Sequence, residues 1–176
     1  MGLDIYFHKT KRSNWNKIKK EIDAFNALPE EEKNERYHKE EYPDKGFEPE
    51  EIGYFRKVNF LMEFFHYEGN CEYKEISKDE LEELRNACIE IGRMKPCKVE
   101  YVKATSQWDK DRVVNVYSEA DQKRCSELLP TQSGFFFGST DYDEWYFRDV
   151  KEVREWVDGV LDNLEDKEVV LMYCWW

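Results

Sequence analysis

The sequence lacks an apolar run long enough to cross a bilayer, and it also lacks a closely spaced cysteine pair. A membrane-spanning helix needs about 18–20 consecutive apolar residues, and residues 1–12 do not contain the continuous apolar stretch of a signal peptide. The five cysteines lie at least nine positions apart, whereas structural zinc sites typically place ligands about two to four residues apart. We therefore expect a cytoplasmic protein with free thiols, no membrane attachment, no metal and no cofactor.

Positive charge is also scarce. The 176 residues include 27 Lys and Arg against 39 Asp and Glu, which gives a net charge of −12. The excess is clustered, because residues 21–51 hold 12 acidic against 4 basic residues and residues 141–176 hold 11 against 4. Affinity for nucleic acid grows with the number of phosphates that Lys and Arg neutralise, so this balance argues against general DNA or RNA binding. It favours a protein partner with a basic surface.

The length of the chain is that of one ordinary domain, and no internal repeat is visible. Phe, Tyr and Trp number 28, close to the 29 Leu, Ile and Val, so the core is expected to be rich in aromatic residues. Residues 29–50 consist mostly of Glu, Lys and Asn, with Pro43, Gly46 and Pro49 among them. We expect a single domain over residues 1–176 with a charged surface excursion at about 29–50.

Apolar periodicity predicts an α+β fold, with a small, mainly antiparallel or mixed sheet packed by about four helices. Strands are expected near 3–8, 71–76, 98–104, 112–117 and 169–176, and helices near 14–27, 51–67, 77–92 and 141–164. The strands near 98–104 and 112–117 should form a hairpin whose tip includes residues 109–111. Ser77 and Glu80 predict a capping box, and Thr140 is expected to cap the last helix.

The most specific candidate site lies on the predicted helix over 51–67. It is apolar on most sides, and Arg56, Asn59, Glu63 and His66 follow one another at spacings of 3, 4 and 3, which places them on one helix face. In a functional interpretation Arg56 holds an anionic group, His66 exchanges a proton, and Glu63 orients the imidazole or acts as a base. In a structural interpretation the same residues are the exposed stripe of the helix.

A second candidate is the segment 128–146, in which three consecutive Phe residues stand between Gly134 and Gly138 and precede an acidic turn. A glycine loop before a helix suggests phosphate binding, but the spacing is not that of a P-loop and the required Lys is missing. The carboxylates of the turn could take part in metal-assisted chemistry. More commonly, such carboxylates match the positive end of a helix dipole. They are Asp141, Asp143 and Glu144.

Three patches of sequence resemble a family of small uncharacterised proteins from bacteria, prophages and phages. They are the opening MGLDIY, the run EIGYFRKVN at 51–59, taken here as helical, and LLPTQSGFFFGSTDYDEWY at 128–146. The resemblance implies an intracellular protein of phage or mobile-element origin and supplies no catalytic residues. This chain departs from the family in the segments 30–50 and 97–117, so a shared site should involve Arg56 and the loop at 133–143.

Two classes of function remain open at this point. The leading hypothesis is a non-enzymatic acidic interaction or accessory protein that binds a host protein. The alternative is a small-molecule-binding protein or hydrolase that uses the polar stripe of 51–67 and the 133–143 loop. Its candidate catalytic residues are Arg56, Glu63 and His66, and its candidate ligand-binding residues are Tyr54, Arg56, Asn59, Ser133, Gly138, Ser139, Asp141 and Asp143.

Overall fold

A four-stranded antiparallel sheet forms the centre of the α+β fold in a computed structural model that describes residues 2–104 and 110–176. The described strands are β1 (Asp4–Lys11), β2 (Glu50–Arg56), β3 (Tyr73–Ile76), β4 (Lys98–Val102), β5 (Arg112–Val116) and β6 (Glu168–Trp175). The described helices are α1 (Arg12–Asn26), α2 (Glu30–His38), α3 (Phe60–Phe64), α4 (Lys78–Ile91), α5 (Glu119–Leu128) and α6 (Glu144–Asn163).

The sheet has the strand order β2-β1-β6-β3, so its two central strands come from opposite ends of the described chain. The predicted fold class is therefore confirmed, but the hairpin of β4 and β5 lies apart as a separate two-stranded sheet. Asp109, which was expected at the tip of that hairpin, lies outside the described residues. None of the helices in the described part of the chain has both the length and the apolar character needed to cross a bilayer.

The two faces of the sheet follow from the alternation of side chains along β1. Ile5 and Phe7 are fully buried and belong to the main core, which also contains the apolar residues of α4 and α6. On the opposite face, Trp15 of α1 packs against Val169 and Leu171 of β6. Helix α1 therefore covers this second face near Val169 and Leu171, and the other end of the face carries aromatic and polar side chains.

The predicted helix over 51–67 is wrong, and this is the largest correction to the sequence analysis. Residues 50–56 form the edge strand β2, and only the five residues of α3 are helical. Tyr54 and Arg56 point to one sheet face while Phe55 is buried on the other, which is the period of a strand. After β2 the chain turns at Lys57, whose φ is 61°, a left-handed conformation that ends regular structure.

Capping side chains account for the starts of α4, α5 and α6. Ser77 and Glu80 form the predicted capping box at α4, and the Ser118 side chain accepts from the Asp121 amide at the start of α5. The expected cap at Thr140 is wrong, because Asp143 caps α6 instead. The Asp143 Oδ1 atom accepts from the amides of Trp145 and Tyr146 at 2.9 and 3.2 Å.

Candidate functional site

Four tyrosines lie in a line across the less covered face of the sheet, one on each strand. The pairing register places Tyr6 of β1 beside Tyr54 of β2 and Tyr173 of β6, and it places Tyr73 of β3 beside Tyr173. Neighbouring ring centroids along this line lie 5.1, 6.4 and 5.0 Å apart. These distances fall in the range of favourable aromatic contacts. We call Tyr54, Tyr6, Tyr173 and Tyr73 the tyrosine row.

A second line of side chains flanks the tyrosine row at the end of the sheet where β1 begins. Asp4 lies opposite Arg56 on one side and opposite Trp175 on the other. The Asp4 side chain is buried, and its Oδ1 atom accepts from the Tyr54 hydroxyl at 2.5 Å and lies 3.6 Å from Arg56 Nη1. Tyr54 and Trp175 remain 45% and 49% exposed. The surface therefore offers aromatic rings and a held guanidinium to solvent.

The Asp4 carboxylate is the main cause of the raised pKa of Tyr54. Its hydrogen bond with the hydroxyl raises the pKa of Tyr54 above the ordinary tyrosine value, and partial desolvation acts in the same direction. The protonated hydroxyl donates to Asp4. This bond fixes the orientation of the ring at the edge of the sheet.

His8 lies next to the tyrosine row on the same face of β1. Its ring stacks with Tyr6 at 6.2 Å and meets Tyr73 edge to face at 5.8 Å. Its Nδ1 atom is buried without a hydrogen-bond partner. Burial lowers the pKa of His8, against an opposing effect of the nearby Glu51 carboxylate. His8 is therefore a largely neutral member of this aromatic surface at pH 7.

The loop at 133–143 is attached to this end of the sheet through Asn59. Asn59 is 3% exposed, and its Nδ2 atom donates to the carbonyl oxygens of Phe137 and Ser139 at 3.1 and 2.8 Å. Gly138 has a φ of 92°, and an added Cβ there would lie 3.3 Å from the Lys57 Cβ. The 51–59 segment and the loop are therefore joined, and the Nδ2 atom of Asn59 is used for this attachment.

The candidate catalytic set does not converge. Glu63 lies in α3 with its side chain exposed, and His66 lies beyond that helix with a φ of 48° and is also exposed. No hydrogen bond or ion pair between described residues joins Arg56 to Glu63 or His66. Arg56 instead faces Asp4 at the end of the sheet. The three residues shared a stripe only on the helix that does not form.

The remaining candidates in the loop have structural roles or face solvent. Ser133 is exposed, and the Ser139 hydroxyl accepts from the Asp141 amide at 3.1 Å. Asp141 and Asp143 line a cavity of about 410 Å³ between β5 and the start of α6, where Asp143 is committed to capping the helix. Across residues 2–104 and 110–176, no group of three His, Cys, Asp or Glu side chains is placed to hold a metal ion.

Tyr54 and Arg56 were predicted as ligand-binding residues, but the other residues of the aromatic surface were not predicted as site residues. A signal was present in β1, where Asp4, Tyr6 and His8 alternate with the apolar Leu3, Ile5 and Phe7. Comparisons with protein-family models, with curated proteins and with solved structures find no match to this chain.

Proposed function

We propose that the protein is a non-enzymatic interaction protein that binds a partner protein through the tyrosine row and its neighbours Asp4, Arg56 and Trp175. The observation that carries the proposal is the continuous row of tyrosines across all four strands, with exposed rings at Tyr54 and Trp175. Tyr, Trp and Arg are the residues most enriched among those that dominate the energy of protein interfaces. Their rigid rings bury a large area with little loss of side-chain entropy.

The expected partner is a protein with a basic surface. The net charge of −12 speeds the encounter with a basic partner over long range. At short range, the faces of the tyrosine and tryptophan rings attract Lys and Arg side chains. The resemblance to proteins of phages and prophages suggests that the partner is a host protein, and a phage or mobile-element origin is part of this proposal.

The alternative, a hydrolase or small-molecule site on a polar stripe of 51–67, loses its structural basis. Its stripe required a helix where the chain forms β2, a turn and the short α3. The interaction hypothesis does not depend on that helix, because Tyr54 and Arg56 reach the aromatic surface as members of a strand. We therefore retain the interaction protein as the proposed function.

Affinity capture from a bacterial lysate with paired variants tests the proposal. The variant Tyr54→Ala/Trp175→Ala removes the two exposed rings of the surface, and Tyr101→Ala/Trp145→Ala removes two rings that are at least as exposed on average elsewhere, on β4 and α6. We expect wild type and the β4/α6 variant to recover the same partner, and the first variant to lose it. The recovery should fall as salt rises from about 50 to 300 mM, because screening weakens the charge attraction.

Two results of the capture experiment contradict the proposal. One is recovery of the same proteins, in the same amounts, by both variants, which would place binding elsewhere. The other is the absence of any specific protein at low salt. Thermal unfolding of each variant shows that a lost interaction is not a lost fold.

A further inference from the structure

The two edges of the four-stranded sheet are not equally protected. At the β2 edge, the Trp156 indole donates to the Ile52 carbonyl oxygen at 2.8 Å, and the register with β1 shifts between Phe7 and His8. Such a bulge and a capped carbonyl discourage the addition of another strand. At the β3 edge, no hydrogen bond from the described residues reaches the backbone of residues 73–75 except those of the ladder with β6. Because alternate residues of an edge strand direct their amide and carbonyl groups outward, β3 offers unpaired groups.

A groove runs along this open edge. It has a volume of about 450 Å³, and β3 forms one wall while α1 and the chain near Pro43 form the other. Trp15 and Tyr73 line the groove with ring centroids 6.4 Å apart, and the half-buried Tyr73 is the more accessible of the two because Trp15 is buried. The volume lies within the usual range of about 300–1,000 Å³ for ligand pockets. The groove therefore places an apolar floor beside unpaired backbone groups.

Charged side chains around the groove are mostly acidic and without ion-pair partners. Asp23, Asp44 and Glu72 line it, and within the described part of the chain none of the three forms an ion pair. Lys19 also lines the groove, so these four side chains have a net charge of −2. The two remaining charged residues of the groove, Lys74 and Glu75, already have hydrogen-bond partners. Glu75 accepts from Arg12 and Trp15, and Lys74 donates to the carbonyl oxygens of Phe65 and His66.

We infer that the groove receives an extended, basic segment of a partner protein, which pairs with β3 as a fifth strand. Strand addition satisfies the outward amide and carbonyl groups of β3, and alternate side chains of the segment enter the groove. Lys or Arg at those positions meets Asp23, Asp44 and Glu72 and lays its aliphatic stem on Tyr73, while the intervening apolar side chains point to the opposite face of the sheet. This inference goes beyond the proposed function, because it concerns the edge of the sheet and does not require the exposed rings of Tyr54 and Trp175.

Synthetic hexapeptides of alternating Lys and Val provide the probe, with a Glu and Val peptide as the charge control. Two further probes carry N-methyl groups on alternate amides, one in each of the two possible registers, so that one of them cannot pair with β3. Binding is measured by Trp fluorescence and by hydrogen exchange of the β3 amides. We expect the Lys peptide to bind and to slow exchange at the outward-facing amides within residues 73–75, and we expect one N-methylated peptide to lose binding and the other to retain it.

Charge-reversal variants locate the site. Asp44→Lys/Glu72→Lys should weaken the Lys peptide by about tenfold or more, since close like charges replace attraction with repulsion. Glu82→Lys/Glu83→Lys changes the net charge equally on the exposed side of α4 and should have little effect. Tyr54→Ala/Trp175→Ala should bind the peptide as wild type does, so failure at the groove and failure of the tyrosine surface are distinguishable.

The inference is overturned by any of three results. The first is that the β3 amides gain no protection at saturating Lys peptide. The second is that both N-methylated peptides bind as well as the parent, which would mean association by charge without strand pairing. The third is equal weakening by the two charge-reversal variants, which would mean that only the net charge matters.

Discussion

The side-chain amide of Asn59 holds two carbonyl oxygens of one loop, those of Phe137 at 3.1 Å and of Ser139 at 2.8 Å. A polar group that loses its partner in a buried position is expensive to leave unpaired. The link also joins segments far apart in the sequence, the turn after β2 and the loop before α6. It is therefore the clearest place to test how the 133–143 loop is fixed.

Asn59→Ala should destabilise the protein by about 1–3 kcal/mol, because the Phe137 carbonyl oxygen loses a donor in a buried position and the Ser139 carbonyl oxygen loses one in a partly buried position. The midpoint of urea denaturation measures the effect. Asn163→Ala is the matched control, since Asn163 is exposed and its Nδ2 makes one bond, to Gly159 O at 2.8 Å. The control should change stability by less than about 0.5 kcal/mol. Equal effects of the two substitutions would remove the special role of Asn59.

A second prediction follows from the close contact between Gly53 and Trp156. A Cβ added at Gly53 would lie only 2.4 Å from Trp156 Nε1, so Gly53→Ala should destabilise the protein by about 1–3 kcal/mol. The loss should be smaller in a Trp156→Phe background, because the pyrrole ring that meets the Cβ is then missing. A double-mutant cycle in urea measures this coupling, and additive effects would contradict it.

Gly159→Ala should stabilise the protein, in contrast to Gly53→Ala. Gly159 lies inside α6, and no heavy atom lies within 4 Å of an added Cβ there. Because Gly in a helix interior is less favourable than Ala by roughly 0.5–1 kcal/mol, the substitution should raise stability by about that amount. A lowered melting temperature in calorimetry would show that the space beside Gly159 is needed.

The cysteines should divide into two reactive and three protected thiols. Cys71 and Cys97 are exposed, while Cys88, Cys125 and Cys174 are buried. Burial raises the pKa of Cys88 and of Cys125 to about 12 and also raises the pKa of Cys174, which suppresses their thiolates. A disulfide reagent at pH 8 should therefore titrate two thiols quickly in the folded protein and five in denaturant. Rapid reaction of any of the three remaining thiols in Cys71→Ser/Cys97→Ser would be inconsistent with this arrangement.

His8 should make folding sensitive to mild acid. Its pKa is lowered in the folded state mainly by burial, so the unfolded chain binds the proton more readily. Stability from this group is present above the ordinary His pKa of about 6.5 and is lost as pH falls below it towards the folded value. The denaturant midpoint should therefore fall more between pH 7.5 and pH 5.5 for wild type than for His8→Gln.

Glu51 supplies a control for the origin of this acid sensitivity. Its carboxylate raises the pKa of His8 against the effect of burial. Glu51→Gln should lower the His8 pKa further, which NMR of the imidazole protons would report directly. An upward shift in that variant would show that the Glu51 carboxylate does not favour the protonated imidazole.

The sequence predicted α4 well because its apolar spacing and its capping box both lie within one short segment. The spacing of Leu81, Leu84 and Cys88 and the Ser77 capping box are properties of one short segment, and α4 follows them closely. Residues 51–67 contain a long apolar run that suits either period, so the pattern does not decide between helix and strand. Pairing with β1 decides it, and this pairing brings together residues about 50 positions apart.

The aromatic surface was harder to predict than the fold because it depends on register. Tyr54 and Arg56 were identified, yet their neighbours Tyr6 and Tyr173 come from strands at opposite ends of the described chain. A shift of one residue in any of these strands would turn its tyrosine to the other face. No spacing within a single segment carries that information.

The pairing of β1 with β6 also determines when the sheet can form during synthesis. Asp4 lies opposite Trp175, so β1 must wait until β6 has been made before the two strands can pair. Until β6 leaves the ribosome, β1 can pair only with β2, and β3 has no neighbour in the sheet. Such long-range pairing closes slowly, and the incomplete sheet exposes an apolar face and a free edge on the nascent chain. The sheet is therefore completed only after β6 has been made.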